Sequence, residues 1–371
     1  MKVNFYILSE VNDQTNHVGY SPIKTLCRVL SELPNTIFLH PKQSNREGKG
    51  WLVSKFSRLH NKVFRSWFFL EDIPNLYSGI NILLVIGLNP HFLLSKYSLG
   101  SLLKKMDLQI GYILDGFPFE DMDSRSLQGL DHLFTICGDQ ARYINEKLDV
   151  DCHFLPLAID LLENPLDSKG RNRFIDIISY GRSNLFLHQQ LQHHLGRNDR
   201  KYFYFHSTAK DGFVLDLGEH LTLMSKLRKY SKISICFEAS NIPRFSGFSP
   251  ILYRWFEAWS SGCGVVGKRP YGIGVEKILD WEDSVIDLPE RESEWMDFTY
   301  SLLSDEARLI KMSTRNYKKA LLMHDWIYRI CDVLNTIEIQ LPEEISNRSC
   351  LLRDISEEHS GASDIDMGKS P

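Results

Sequence analysis

The sequence predicts an α/β fold of two Rossmann-like domains that face each other across a cleft. Short apolar, β-rich runs alternate with longer amphipathic stretches through both halves of the chain. A polar stretch at residues 160–173, rich in Asp, Asn, Pro, Lys and Gly, separates the two series. A chain of 371 residues with 43% hydrophobic content is also long enough for two domains that each bury a core. The boundaries that follow are residues 1–165 and 166–341 for the domains, with the last helix of the second having the option of packing back on the first. Residues 342–371, polar and acidic with few aromatics, read as a tail, disordered from Ser356 onward.

Each element has its own justification. Residues 3–8 form an apolar first strand, closed by Ser9 and Glu10 without the small-residue site of a cleaved leader. A polar loop with His17 and Gly19 follows, then residues 22–33 at helical spacing. Residues 36–40 are a second strand. Residues 80–86 and 109–114 are apolar and β-rich around a helix at 99–106, the βαβ rhythm of a parallel sheet. Two more strands, 132–137 and 153–157, flank a helix at 139–148. The second half repeats this: strands at 174–180, 202–206, 233–237 and 263–266, with helices near 185–195, 219–230 and 251–260.

Composition excludes several classes. A net charge of −4 leaves no global basic field for nucleic acid. The most apolar stretch, residues 80–94, is too short for a bilayer and is broken by Asn81, Asn89, Pro90 and His91, so any membrane contact is peripheral. Seven widely spaced cysteines read as reduced thiols of a cytoplasmic protein. A Gly-x-Gly-x-x-Gly turn after the first strand and a Walker-type lysine loop are both missing, which disfavours nicotinamide, flavin and P-loop nucleotide binding.

The run Ser249-Pro-Ile-Leu-Tyr-Arg-Trp-Phe-Glu257-Ala-Trp-Ser-Ser-Gly262-Cys-Gly264-Val-Val resembles the donor-site helix of GT-B glycosyltransferases of the group 1, family 4-like type. Asp176-Ile-Ile-Ser-Tyr-Gly181-Arg182 is similar to the strand and Gly-Arg turn that opens their donor domain, and His324-Asp-Trp326-Ile-Tyr-Arg329 to an element of their closing helix. The resemblance covers most of the C-terminal half. It implies an N-terminal acceptor domain, a C-terminal donor domain and a hexosyltransferase-type enzyme of glycan biosynthesis. A nucleotide-diphosphate sugar would be the co-substrate, a glycan, lipid-linked or protein hydroxyl the acceptor, with no metal or other cofactor. The chain departs from the pattern at two places: Ser249 stands where one subfamily has a glutamate, and Leu187, next to His188, where a basic residue is usual.

The residues support this reading physically. A helix start at residues 247–250 would offer N–H groups and a positive dipole end to a diphosphate over Ser249. Glu257 would accept hydrogen bonds from ribose hydroxyls. Arg182 and Arg254 would neutralise the leaving diphosphate, and Gly181 and Gly262 would permit tight turns. Each has a plainer alternative in a surface carboxylate, a loop arginine, a helix salt bridge or turn chemistry. His17, with Gly19 beside it on the acceptor side, Asp115 and His91 are the candidate catalytic bases if the reaction inverts. An exposed loop histidine and a turn-forming Asp are the competing readings of the first two. The pair Asp121 and Asp123 spells a metal-binding Asp-x-Asp but lies well past its strand, and His193-His194 lacks zinc spacing. The basic, aromatic residues 49–69, including Trp51, Lys55, Arg58, Lys62, Arg65 and Trp67, read either as an acceptor, lipid or membrane contact or as a solvated helix face. Nucleotide-sugar epimerases share the fold, and two-lobed binding proteins lack catalysis; both stay open as alternatives.

Overall fold

The structure, a computed structural model, describes residues 2–43, 68–118, 124–166, 172–182, 184–197, 201–207 and 211–366. Trp51 to Trp67 of the basic, aromatic stretch, and Asp121 with Asp123, lie outside the described residues. The chain divides into two compact units. Met1–Thr15, Leu30–Pro156 and Asn241–Phe248 make the first; Asn16–Val29, Leu157–Ser240 and Ser249–Pro371 make the second.

The strands of the first unit are β1 (Val3–Ser9), β2 (Thr36–Leu39), β3 (Lys42–Gln43), β4 (Phe68–Phe69), β5 (Ile80–Gly87), β6 (Leu108–Ile113), β7 (His132–Thr135) and β8 (Asp151–Phe154). Six form one parallel sheet in the order β2-β1-β5-β6-β7-β8, while β3 and β4 pair antiparallel apart from it. Every residue of β1 after Val3 is buried, as a strand covered on both faces requires. Its buried Asn4 is bonded across the sheet: Asn4 Nδ2 donates to Oδ1 of its register partner Asn81 on β5 at 3.1 Å. The helix expected at 99–106 belongs instead to a longer 3-10 run, Pro90–Lys105, broken at Gly100, where φ is 57°.

Helix α1 (Ser21–Leu30) follows β1 in sequence, yet residues 16–29 cluster with the second unit. Its bonds explain why: Trp326 Nε1 donates to Thr25 Oγ1 at 2.9 Å, and Arg28 pairs with Asp160 at 2.6 Å. Periodicity identifies such a helix but not the core that covers it, so the expected single boundary at 165 becomes two exchanged segments. Helix α2 (Gly138–Lys147) joins β7 to β8.

The second unit carries β9 (Ile175–Ser179), β10 (Tyr204–His206), β11 (Ser231–Phe237), β12 (Gly264–Lys268) and β13 (Ile286–Asp287), all parallel, in the order β10-β9-β11-β12-β13. Its helices include α3 (Leu185–Leu191), α4 (Leu217–Lys229), α5 (Tyr253–Trp259), α6 (Trp295–Ser304), α7 (Glu306–Met323), α8 (Trp326–Thr336) and α9 (Glu343–Asp366). Counted within its own sheet, each unit begins 2-1-3-4-5, a doubly wound order that reverses between its first and third strands. Both units are thus Rossmann-like, as the sequence predicts.

Helix α9 overturns the expected tail over residues 343–366. Ile345, Arg348, Ser349, Leu352 and Ser356 are buried along one face. Arg348 Nη2 reaches Asp160 at 2.7 Å and Asp325 at 2.8 Å, so a stripe that composition reads as polar is held by charge as well as by packing.

Candidate functional site

In a doubly wound sheet, ligands bind beyond the carboxyl ends of the strands where the order reverses. In the second unit that point lies between β9 and β11. Tyr180, Gly181 and Arg182 follow β9, and Glu238 follows β11.

Gly181 has a φ of 67°, and a Cβ there would overlap the Arg254 guanidinium. Only glycine allows both the turn and that approach. Arg254 Nη1 donates to the Arg182 carbonyl at 2.6 Å, and its guanidinium lies 5.2 Å from the centre of the Tyr180 ring. The structure therefore brings Gly181, the Arg182 backbone and the Arg254 side chain together.

Glu257 sits one step deeper. Its Oε1 accepts from Arg228 Nη1 at 3.0 Å and its Oε2 from the Tyr180 hydroxyl at 3.0 Å. Both members of the ion pair are buried. Burial disfavours the Arg228 charge, but Glu257 and Tyr180 outweigh it and raise its pKa; burial likewise lifts the Tyr180 phenol well above its usual range, keeping it a donor. Arg228, on α4, is a partner that the run around Glu257 does not reveal, since its neighbours there are Trp255, Phe256 and Trp259. The Arg228 guanidinium also lies 5.6 Å from the Tyr180 ring centre, so one tyrosine links a buried and a more exposed arginine. A small pocket beside the pair is lined by Thr25, Asp160, Glu163, Arg228, Tyr253 and Glu257. Its carboxylates are already paired, Asp160 with Arg28 and Arg348, Glu163 with Arg28 and Glu257 with Arg228.

The helix start expected at residues 247–250 is not there. Helix α5 begins at Tyr253, capped by the extended Leu252, while Ser249 is buried in an isolated antiparallel bridge to Tyr271. The residue before a proline favours extended backbone, and Ser249 precedes Pro250. The Ser249 hydroxyl donates instead to Glu238 Oε2 at 2.9 Å, and Glu238 also accepts from the Ser240 N–H at 2.6 Å and its hydroxyl at 2.9 Å. A carboxylate thus stands beside Ser249, where the resembled pattern has a glutamate in the chain itself. The missed signal was an acidic residue immediately after an apolar parallel strand. Gly262 takes a φ of 66° in the turn between α5 and β12, away from the Arg254 group, and a Cβ there would crowd Arg173 and Ser313.

His17 belongs to the second unit, where residues 16–18 bond to 212–214. It caps a 3-10 turn: Nδ1 accepts from the Gly19 N–H at 3.0 Å. That bond requires the Nδ1 lone pair and leaves the neutral ring's proton on Nε2, which faces Gly212. A proton acceptor at Nε2 would need the opposite tautomer, so the geometry counts against His17 as base, and Gly19 serves the cap.

In the first unit, Asp115 follows β6, and its Oδ1 accepts from the Gly116 N–H at 2.8 Å and Arg244 Nε at 3.0 Å. Arg244 and Phe245 lie in the 241–248 segment, and a Cβ on Gly116 would overlap the Phe245 ring. His91 is exposed two residues past the Asn89 cap, against Phe68. The element His324 to Arg329 is a buried clamp: His324 stacks on Trp259 with ring centres 5.3 Å apart, and Asp325 holds Arg348. Burial and then Arg329 push the His324 pKa well down, so it is a neutral core residue.

No protein-family model matches the chain, and no curated protein does. Among solved structures, it is similar to Anabaena HepE in complex with UDP-glucose, at 10% identity over 90% of this chain and 99% of that one, with a TM-score of 0.49. A TarM mutant of S. aureus in complex with fondaparinux, α-GlcNAc-glycerol and UDP matches at 10% identity over 69% of this chain and 55% of that one, TM-score 0.47. S. aureus MnaA with UDP matches at 11% identity over 92% and 98%, TM-score 0.44. The assignment of two Rossmann-like units rests on the strand orders.

Proposed function

We propose that the chain is a glycosyltransferase that moves a sugar from a nucleoside-diphosphate sugar to an acceptor hydroxyl. The observation that carries the reading is the switch point of the second sheet, where Arg254 reaches the Gly181–Arg182 turn after β9 and Glu238 follows the neighbouring strand β11. As the anomeric C–O bond breaks, negative charge grows on the departing diphosphate, and the reading assigns the Arg254 guanidinium, with that of Arg182 on the same turn, to favour the transition state over the bound donor. They supply the positive charge that a divalent ion would otherwise provide. Glu238, rich in acceptor capacity, faces sugar hydroxyls. Glu257 is a positioning residue: it holds Tyr180, on whose ring Arg254 rests.

The acceptor hydroxyl, of a glycan, lipid-linked or protein substrate, is assigned to the first unit. Its oxygen bonds to the anomeric carbon, the nucleoside diphosphate leaves, and the hydroxyl proton passes to Asp115 Oδ2, with Arg244 orienting the carboxylate through Oδ1. The seven cysteines form no disulfide, which fits a reducing, cytoplasmic setting. Incubation with uridine, guanosine, adenosine and thymidine diphosphate sugars plus hydroxyl acceptors is expected to release nucleotide. Asp115→Asn should lower kcat by about 100-fold, the scale of general-base catalysis, with donor KM little changed. Parent-like turnover in a folded Asp115→Asn protein removes Asp115 as base.

A further inference from the structure

His132, Asp151 and His153 converge in the first unit, remote in role from everything assigned above. His132 and Asp151 are register partners at the amino ends of β7 and β8, and His153 lies two residues on, so strand alternation puts all three on one face. Leu133 and Cys152, on the other face, pack with Ala141 and Ile144 of α2 in the core. Asp151 Oδ2 lies 3.1 Å from His132 Nδ1 and 3.1 Å from His153 Nε2, and the two ring nitrogens are 3.2 Å apart.

Hydrogen bonding alone cannot satisfy this triangle. With both facing nitrogens protonated, each donates to Asp151 but their hydrogens oppose each other across the 3.2 Å edge. With one protonated, the other turns a lone pair toward the carboxylate. With neither, three lone pairs converge. A cation on the axis of the triangle satisfies all three edges together. The dimensions fit: bonds of about 2.0–2.1 Å to zinc set tetrahedral ligand atoms about 3.3 Å apart. Two imidazoles and one carboxylate are the donors of a borderline first-row divalent ion rather than of calcium or magnesium. Phe134, buried with its ring centre 5.1 Å from that of His153, forms an apolar wall, and the exposed Asp151 leaves the remaining positions open to water.

We propose that His132, Asp151 and His153 bind a zinc-like divalent ion that clips the edge strand β8 to β7. Asp115 stands at the carboxyl end of β6, whereas the triad stands at the amino ends of β7 and β8, so the ion is structural and takes no part in sugar transfer.

The test is titration of chelator-treated full-length protein with zinc sulfate, read by calorimetry, for the parent, Asp151→Asn, and the triple variant His132→Gln/Asp151→Asn/His153→Gln. The parent is expected to bind one equivalent more than the triple variant, and Asp151→Asn to weaken that site at least about tenfold. Equal stoichiometry in parent and triple variant overturns the proposal. Far-UV circular dichroism checks that the variants fold. Should they not, cobalt(II) bound to the parent decides: a d–d spectrum without thiolate charge transfer supports the triad, and thiolate charge transfer places the ion on cysteine and overturns it.

Discussion

At the residue scale, Glu257 decides how the proposed donor site is understood. A carboxylate among tryptophans is costly to bury alone, and the structure shows it accepting from Arg228 and Tyr180 at 3.0 Å each. Removing one member of a buried pair leaves the other uncompensated, a loss of about 3–5 kcal/mol. Glu257→Gln should therefore lower unfolding free energy in urea by about 3 kcal/mol, softened by the remaining amide oxygen. In the folded fraction, nucleoside-diphosphate affinity should fall less than about tenfold, under 1.4 kcal/mol. A stability change near zero with a collapse in affinity would make Glu257 a direct ligand instead. The sequence exposed Glu257 by its place in the run from Ser249 to Gly264; Arg228 and Glu238 escaped because their partners lie 29 and 11 residues away and nothing local marks the pairing.

At the scale of elements, predominantly apolar runs made β1, β5 and β6 legible, since a strand buried on both faces has no polar side to confuse its period. Helix α9 was illegible for the converse reason. Its buried stripe, Ile345, Arg348, Ser349, Leu352 and Ser356, has helical spacing, but three of these five residues are polar. Arg348 holds the stripe to Asp160 and Asp325, while Arg28 supports Asp160 from α1. Burial alone would raise the Asp160 pKa, but Arg348 and Arg28 overcome it and set it below the ordinary 3.8. A carboxyl with a depressed folded value stabilises the protein above its unfolded pKa, and that contribution is lost as pH falls through the lower folded one. Arg348→Ala should cost about 3–5 kcal/mol at neutral pH and move acid unfolding to higher pH. Urea melts across pH 3–7 check this; an unchanged acid limb would show that the clamp contributes nothing.

At the scale of the whole molecule, both sheets adopt the doubly wound order that the strand-helix rhythm implied, while the two exchanged segments, 16–29 and 241–248, depend on tertiary contacts that rhythm cannot encode. His17 moved to the second unit for this reason, and Asp115 gained Arg244. The account stands on the second sheet's switch point as a diphosphate site. Its most direct test is calorimetric titration of uridine, guanosine, adenosine and thymidine diphosphates onto the parent and onto Arg254→Ala, with folding checked by circular dichroism. Losing one charge-assisted contact to a diphosphate corresponds to about 1.5–3 kcal/mol. The account predicts that at least one diphosphate binds the parent and binds Arg254→Ala at least about tenfold more weakly. Binding that is unaltered by the substitution, or missing for all four nucleotides, would contradict it.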